Sequence, residues 1–291
     1  MNPPAPKVEP REFTRWRLGF ACLRWSCMTL FVLVAGWTPS ASGVDDNKES
    51  PTKPIRVLFV GNSQVYYNHL DKIVEALAES APKDRPRIQT DAKPSARSVA
   101  GGATLKSHWE RGTEKDTARG KITGEKWDYV VIQEFYGYAN PESTATYAKL
   151  FDDLIRENGA RTVLLCTSHG FSHYPKGFHE VHAAYLALSE KLQAPVAAGG
   201  KSWMTYWGDN PTEEERLDLF DADKGHPGRK GSYLYACALY ATLTGQSPVG
   251  LTHRVPGEPE DAISPAQAKK FQEAAWQVCQ ELNGRKAENK P

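Results

Sequence analysis

The chain has 291 residues, of which 40% are hydrophobic and 24% charged, a composition that builds a sizeable packed core and excludes a chain dominated by disorder. Its formal net charge is +1; five of the 36 Lys and Arg and two of the 35 Asp and Glu fall within residues 1–43, leaving 31 and 33 beyond, a charge of −2. That balance offers nothing to a polyanion, so a nucleic-acid partner is not expected.

The first 43 residues read as a leader. Arg11, Arg15, Arg17 and Arg24 precede the apolar run Cys27 to Trp37, and the small residues of "TPSASG" follow, which is the order of a secretory signal peptide. Eleven apolar residues fall short of the roughly 20 a spanning helix needs, so cleavage near Ala41 to Gly43 is favoured over a retained membrane anchor. The expected location is secreted or periplasmic. The expected organisation is a signal peptide over 1–43, a polar linker over 44–54, one domain over 55–284 and a polar tail over 285–291. Cys22 and Cys27 belong to the leader, while Cys166, Cys237 and Cys279 sit in apolar contexts and read as buried small hydrophobes.

Beyond the linker, apolar runs alternate with helical patterns. Ile55 to Val60 is the first predicted strand, and the segment after it opens a helix near Asn68. A weaker strand follows at Arg87 to Asp91, then a stronger one at Tyr129 to Gln133 and a helix from about Glu142 to Glu157, ending at Asn158-Gly159. The next strand is Thr162 to Thr167. Phe178, Val181, Tyr185, Leu188 and Leu192 repeat by three and four, the mark of a helix with one buried face, and a weak strand follows at Ala194 to Ala197. The last helix carries Ala268, Phe271, Ala275, Val278 and Leu282 on one face; Ser264, Pro265 and Gln267 mark its start and Gly284 its expected stop. Because the strands are continuous apolar runs, they are covered on both faces. The fold class is therefore α/β: a three-layer sandwich with a central, mostly parallel five-stranded sheet. In such sheets sites form at the carboxyl ends of the strands.

The stretch "VLFVGNSQVYYN", Val57 to Asn68, ends an apolar strand on Gly61-Asn62-Ser63. A tight strand-to-helix turn can present a nucleophile there; it can equally be an ordinary turn in which Ser63 caps the helix. A nucleophilic serine needs a base and an orienting carboxylate. Of eight histidines, His226 stands apart, with Asp223 three residues before it and Pro227 after.

Together these pieces resemble the SGNH hydrolases, the GDSL-type esterases and lipases. In that superfamily a Gly-Asp-Ser block follows the first strand, and an Asp-x-x-His block lies near the carboxyl end; here they read Gly61 to Ser63, with Asn62 in place of aspartate, and Asp223 to His226. The resemblance implies a flavodoxin-like sheet, Ser63 as nucleophile, His226 as base and Asp223 as its orienting acid. It further implies an oxyanion hole from the Ser63 N–H, a glycine block matched by Gly102 in "VAGGATLKSHW", with Gly101 the alternative, and a side-chain amide. The last is a departure, since Gln133 stands where the family has asparagine, as in some carbohydrate-ester members. The implied activity is ester hydrolysis, with deacetylation of a carbohydrate as the finer expectation, a small-molecule or glycan ester as partner, and no metal or cofactor.

Three further features bear on the substrate. His169, His173, His179 and His182 crowd "HGFSHYPKGFHEVH", but no metal-binding pair with an acidic ligand accompanies them; His169 is instead expected to face substrate. Tyr66, Tyr67, Phe135, Tyr136, Tyr138, Trp203 and Trp207 lie near the strand ends, where rings can stack on a sugar, and Tyr66 and Trp203 are the candidates. The competing expectation is a secreted carbohydrate-binding protein that keeps the fold without turnover.

Overall fold

The computed structural model describes residues 53–91, 98–135, 140–259 and 262–288. The expected leader, most of the linker, and Tyr136 and Tyr138 lie outside the described residues. In chain order the elements are β1 (Ile55–Val60), α1 (Ser63–Tyr66), α2 (Leu70–Ser80), β2 (Ile88–Asp91), α3 (Leu105–Glu110), α4 (Ala118–Gly124), β3 (Tyr129–Ile132) and α5 (Pro141–Glu157), then β4 (Arg161–Leu165), α6 (Lys176–Leu192), β5 (Val196–Ala197), α7 (Gly199–Trp207), α8 (Glu213–Leu217), α9 (Arg229–Thr244) and α10 (Pro265–Glu288).

The five strands form one sheet in the order β2-β1-β3-β4-β5, and every pairing is parallel, with Val60 opposite Ile132 and Ile132 opposite Leu164. The apolar runs divide by alternation, as a pleated strand requires. Val57 and Phe59 of β1, Val131 of β3 and Val163 and Leu165 of β4 face a core built with α2, α7, α9 and α10. Leu58, Val60, Val130, Ile132 and Leu164 face the opposite core, built with α3, α4, α5 and α6. A run without polar residues is thus the sequence of a strand with a helical layer on each side.

The predicted helix over Phe178 to Leu192 is α6, and the one from about Glu142 is α5, which Asn140 caps through Ser143 N–H and Pro141 opens. Ser264 caps α10 as expected, its Oγ accepting from Gln267 N–H at 3.2 Å. The Gln267 side chain donates its Nε2 to Asp218 at 2.9 Å. Gly284 is not the stop that its residue type suggests. The helix continues to Glu288, and Gly284 is not among the glycines with positive φ; without the left-handed turn a glycine costs the helix only about 1 kcal/mol and does not end it. The region over 285–288 therefore extends the helix rather than beginning a tail.

Cys166, Cys237 and Cys279 are free and buried, and burial pushes their thiols up, so they are inert packing groups. Among the described residues no helix is long and apolar enough to cross a membrane.

Candidate active site

The carboxyl end of β1 runs straight into the serine. Gly61 continues the sheet by one residue, its N–H donating to Ser98 O and its carbonyl accepting from Ala100 N–H and from Nε2 of the buried His108. Only a glycine fits there, since a Cβ would stand 2.8 Å from Gln133 Oε1 and 2.9 Å from Val65 Cγ2. Asn62 then caps α1 by accepting Gln64 N–H on its Oδ1, while its Nδ2 donates to Ala103 O at 3.1 Å. The cap is thus Asn62 and not Ser63. Relieved of that duty, Ser63 is the first residue of the helical turn and its hydroxyl points elsewhere.

It points to His226. The Ser63 Oγ lies 2.7 Å from His226 Nε2, and His226 Nδ1 lies 2.5 Å from Asp223 Oδ2. The other carboxylate oxygen accepts the N–H groups of Gly225 and His226, both at 2.9 Å. Partial burial alone would raise the Asp223 carboxyl, but the hydrogen bonds from His226 and Gly225 outweigh it and hold the group at about 2. An ionised carboxylate only accepts, so Nδ1 carries the imidazole proton, and Nε2 presents its lone pair to the serine O–H. This is the hydrogen-bond order of a serine nucleophile with its base and orienting acid. The loop itself is a closed turn: Asp221 N–H donates to His226 O, Lys224 N–H to Asp221 O, and Phe220 pairs with Pro227.

The Gly101–Gly102 turn lies beside Ser63 because Asn62 grips Ala103. Ala103 N–H closes the turn on Ala100 O, and Gly102 holds a φ of +63°, a conformation that suits a residue without Cβ. Neither the Ser63 nor the Gly102 N–H enters a hydrogen bond among the described residues, which leaves both available as donors. The buried Glu134 anchors the start of α3, accepting Leu105 N–H at 3.3 Å, and also accepts Phe135 N–H at 2.6 Å; burial raises its carboxyl in spite of these bonds.

Several expected site residues stand elsewhere. Gln133 is fully buried and its amide binds the main chain: Oε1 accepts Asn62 N–H at 3.0 Å, and Nε2 donates to Glu134 O. These two bonds brace the turn that carries Ser63 from below. Trp203 is 0% exposed, stacked on Tyr235 with its indole N–H on Gly231 O. Trp207 is likewise buried, its N–H on Glu215 O. Both belong to an aromatic core with Phe178 and Phe220, so neither ring can meet a substrate.

Tyr66 is half-buried against the Gly101 turn, its hydroxyl 3.1 Å from where a Gly101 Cβ would stand. His169, at the end of β4, is buried against His173 with ring centroids 3.8 Å apart, and its Nδ1 accepts Gly170 N–H. Burial, with a smaller contribution from His173, lowers it to about 4, so it is neutral and faces inward more than outward. The four histidines of that stretch do not converge: among the described residues no group of three or more His, Cys, Asp or Glu could hold a metal.

Sequence reasoning missed three contributors. His108 and Glu134 carry no motif, being single polar residues whose burial only the fold reveals. Tyr67 was visible as one ring among seven, but not its place: it is stacked on the His226 imidazole at 4.5 Å and 13°. The Asp221 carboxylate beside it raises its phenol.

No family model and no curated protein matches the chain. Solved structures do. A DUF4886 family protein from Bacteroides uniformis superposes with a TM-score of 0.54 at 19% identity, covering 78% of this chain and 95% of its own. The acetylxylan esterase Axe2 from Geobacillus stearothermophilus gives a TM-score of 0.50 at 12% identity, covering 65% and 94%. A candidate SGNH hydrolase from Slackia heliotrinireducens gives 0.49 at 21% identity, covering 66% and 100%. At these identities the likeness is one of fold: a parallel five-stranded sheet between two helical layers.

Proposed function

We propose that the protein is a secreted or periplasmic serine hydrolase that cleaves carboxylic esters, with an acetylated carbohydrate as its substrate. The observation that carries the reading is the unbroken line of hydrogen bonds from Asp223 through His226 to Ser63, at 2.5 and 2.7 Å. In the reaction Ser63 Oγ attacks the acyl carbonyl as its proton passes to His226 Nε2, and Asp223 stabilises the imidazolium. The Ser63 and Gly102 N–H groups receive the oxyanion, each such donor typically contributing ~10²–10³ in rate. The imidazolium returns its proton to the departing alcohol, leaving an acyl-enzyme. Water, deprotonated by His226, then releases the acid and restores Ser63.

The acetyl-carbohydrate part is supported by the acetylxylan esterase among the fold neighbours and by the half-buried ring of Tyr66 beside Ser63. Export rests on the basic, apolar and small-residue order of residues 1–43.

Hydrolysis of p-nitrophenyl acetate by the wild type, Ser63→Ala and His226→Ala, with and without a chelator, tests the reaction class. Either variant is expected to lose at least ~10³-fold in kcat, with chelation inert. Equal rates in wild type and Ser63→Ala overturn the serine mechanism, and loss on chelation points to a metal. Acetate release from acetylated xylan fragments tests the substrate; binding without release means a carbohydrate-binding protein that has kept the fold.

A further inference from the structure

The catalytic serine and histidine come from segments 163 residues apart, and the histidine sits in an open loop. Asp223 is 47% and His226 28% exposed at the side chain, so burial does not immobilise the pair. Yet catalysis needs the imidazole held to about 0.5 Å. Something must fix this loop to the nucleophile turn.

Three side chains from the nucleophile segment meet three consecutive residues of the loop. Gln64 Nε2 donates to Gly225 O at 3.0 Å. Tyr67 lies flat on the His226 ring at 4.5 Å. Asn68 Nδ2 donates to Pro227 O at 2.7 Å and to Ser232 Oγ at 3.0 Å, the latter in the first turn of α9. Positions 64, 67 and 68 are spaced i, i+3, i+4. Tyr67 itself has helical backbone angles, φ −56° and ψ −42°, so the three side chains project from one face.

Two details argue that these contacts serve alignment rather than general stability. The Gln64 side chain is buried with its Oε1 lacking a protein partner, a cost that a hydrocarbon side chain would avoid; what Gln64 contributes is its bond to Gly225. Tyr67 is 43% exposed, too open to act as a core ring. Its ring face also meets the imidazole where positive charge appears during the reaction, an attractive arrangement.

We propose that Gln64, Tyr67 and Asn68 form a clamp that positions the His226 loop over Ser63, with Tyr67 as the residue that fixes the imidazole plane. The clamp ties the nucleophile and its base into one unit, since the helical turn that begins with Ser63 also carries the groups that hold His226. The inference rests on the serine esterase reading for its kinetic consequence and on geometry alone for its structural one.

A kinetic series on p-nitrophenyl acetate and a proton spectrum test the two parts separately. Tyr67→Leu is expected to lower kcat about tenfold with KM changed less than about twofold, since misplacing a catalytic group by a fraction of an ångström affects the chemical step. Tyr67→Phe, which restores the ring without the hydroxyl, is expected to recover most of that loss, and Asn68→Ala to behave like Tyr67→Leu. Thermal unfolding checks that each variant folds.

The downfield proton resonance of His226 Nδ1–H, assigned by its loss in Asp223→Asn, reads the same geometry without turnover. It is expected to sharpen in wild type and Tyr67→Phe and to broaden or vanish in Tyr67→Leu and Asn68→Ala. An unchanged kcat and an unchanged resonance in Tyr67→Leu overturn the clamp. A raised KM at constant kcat overturns it too, because it makes Tyr67 a substrate contact. If wild type is inert toward esters, the esterase reading fails, while the resonance still decides the clamp.

Discussion

Replacing Gln133 with methionine separates two roles that the same side chain could play. Methionine matches its length and removes both hydrogen-bonding atoms. The buried Asn62 N–H then loses Gln133 Oε1, and the Glu134 carbonyl loses the Nε2 donor. Each orphaned buried group costs about 2 kcal/mol, so the loss is about 4 kcal/mol, and for a domain of this size that lowers Tm by roughly 8–16 °C. Activity falls as well, because Asn62 carries the cap of the nucleophile turn and the bond to Ala103. The assay pairs differential scanning calorimetry with p-nitrophenyl acetate kinetics on the same preparation. If Gln133 were an oxyanion donor, the variant would keep its Tm and lose ~10²–10³ in kcat. That combination refutes the bracing role.

His169 governs a second measurement. Its folded value of about 4 lies below the ordinary 6.5, so on acidification the unfolded chain takes up the proton first and stability falls from about pH 6.5 down through pH 4. At 1.36 kcal/mol per pH unit the effect is at most about 3 kcal/mol. In urea titrations at pH 7 and pH 4, His169→Asn, whose amide oxygen can still accept Gly170 N–H, should lose less stability than wild type; parallel losses would place the acid sensitivity elsewhere. Trp203→Ala is expected to cost about 3–5 kcal/mol as a core truncation while leaving the KM of the folded fraction near that of wild type. A change confined to KM would return Trp203 to the substrate site.

The residues that sequence reading identified and the structure reassigned share one property: their role depends on direction. The apolar run Val57 to Val60 ends at a glycine, and together they marked the strand and its turn, since an uninterrupted run suits only a strand covered on both sides. Asp223 and His226 were legible because their separation of three residues is local. Gln133 was placed correctly at the end of the third strand, but its composition could not say whether its amide faces the mouth or the turn below it. Among the rings near strand ends Trp203 was singled out and Tyr67 was not; the first is wholly inside and the second lies open on the imidazole. Gly284 carried a stop signal that the helix does not use.

What the sequence determined by itself is what hydrophobic periodicity and short-range spacing encode: the five strands, the helices with a clear apolar face, the parallel sheet, and the residues that could act as nucleophile, base and acid. Whether Ser63 Oγ and His226 Nε2 meet at 2.7 Å, which glycine turn lies beside them, and what holds the histidine in place were decided by the tertiary structure. The physical reason is that these relations join residues 41 to 163 positions apart. Across such separations the geometry is fixed by the packing of two helical layers on one sheet, and no local pattern in the chain records it.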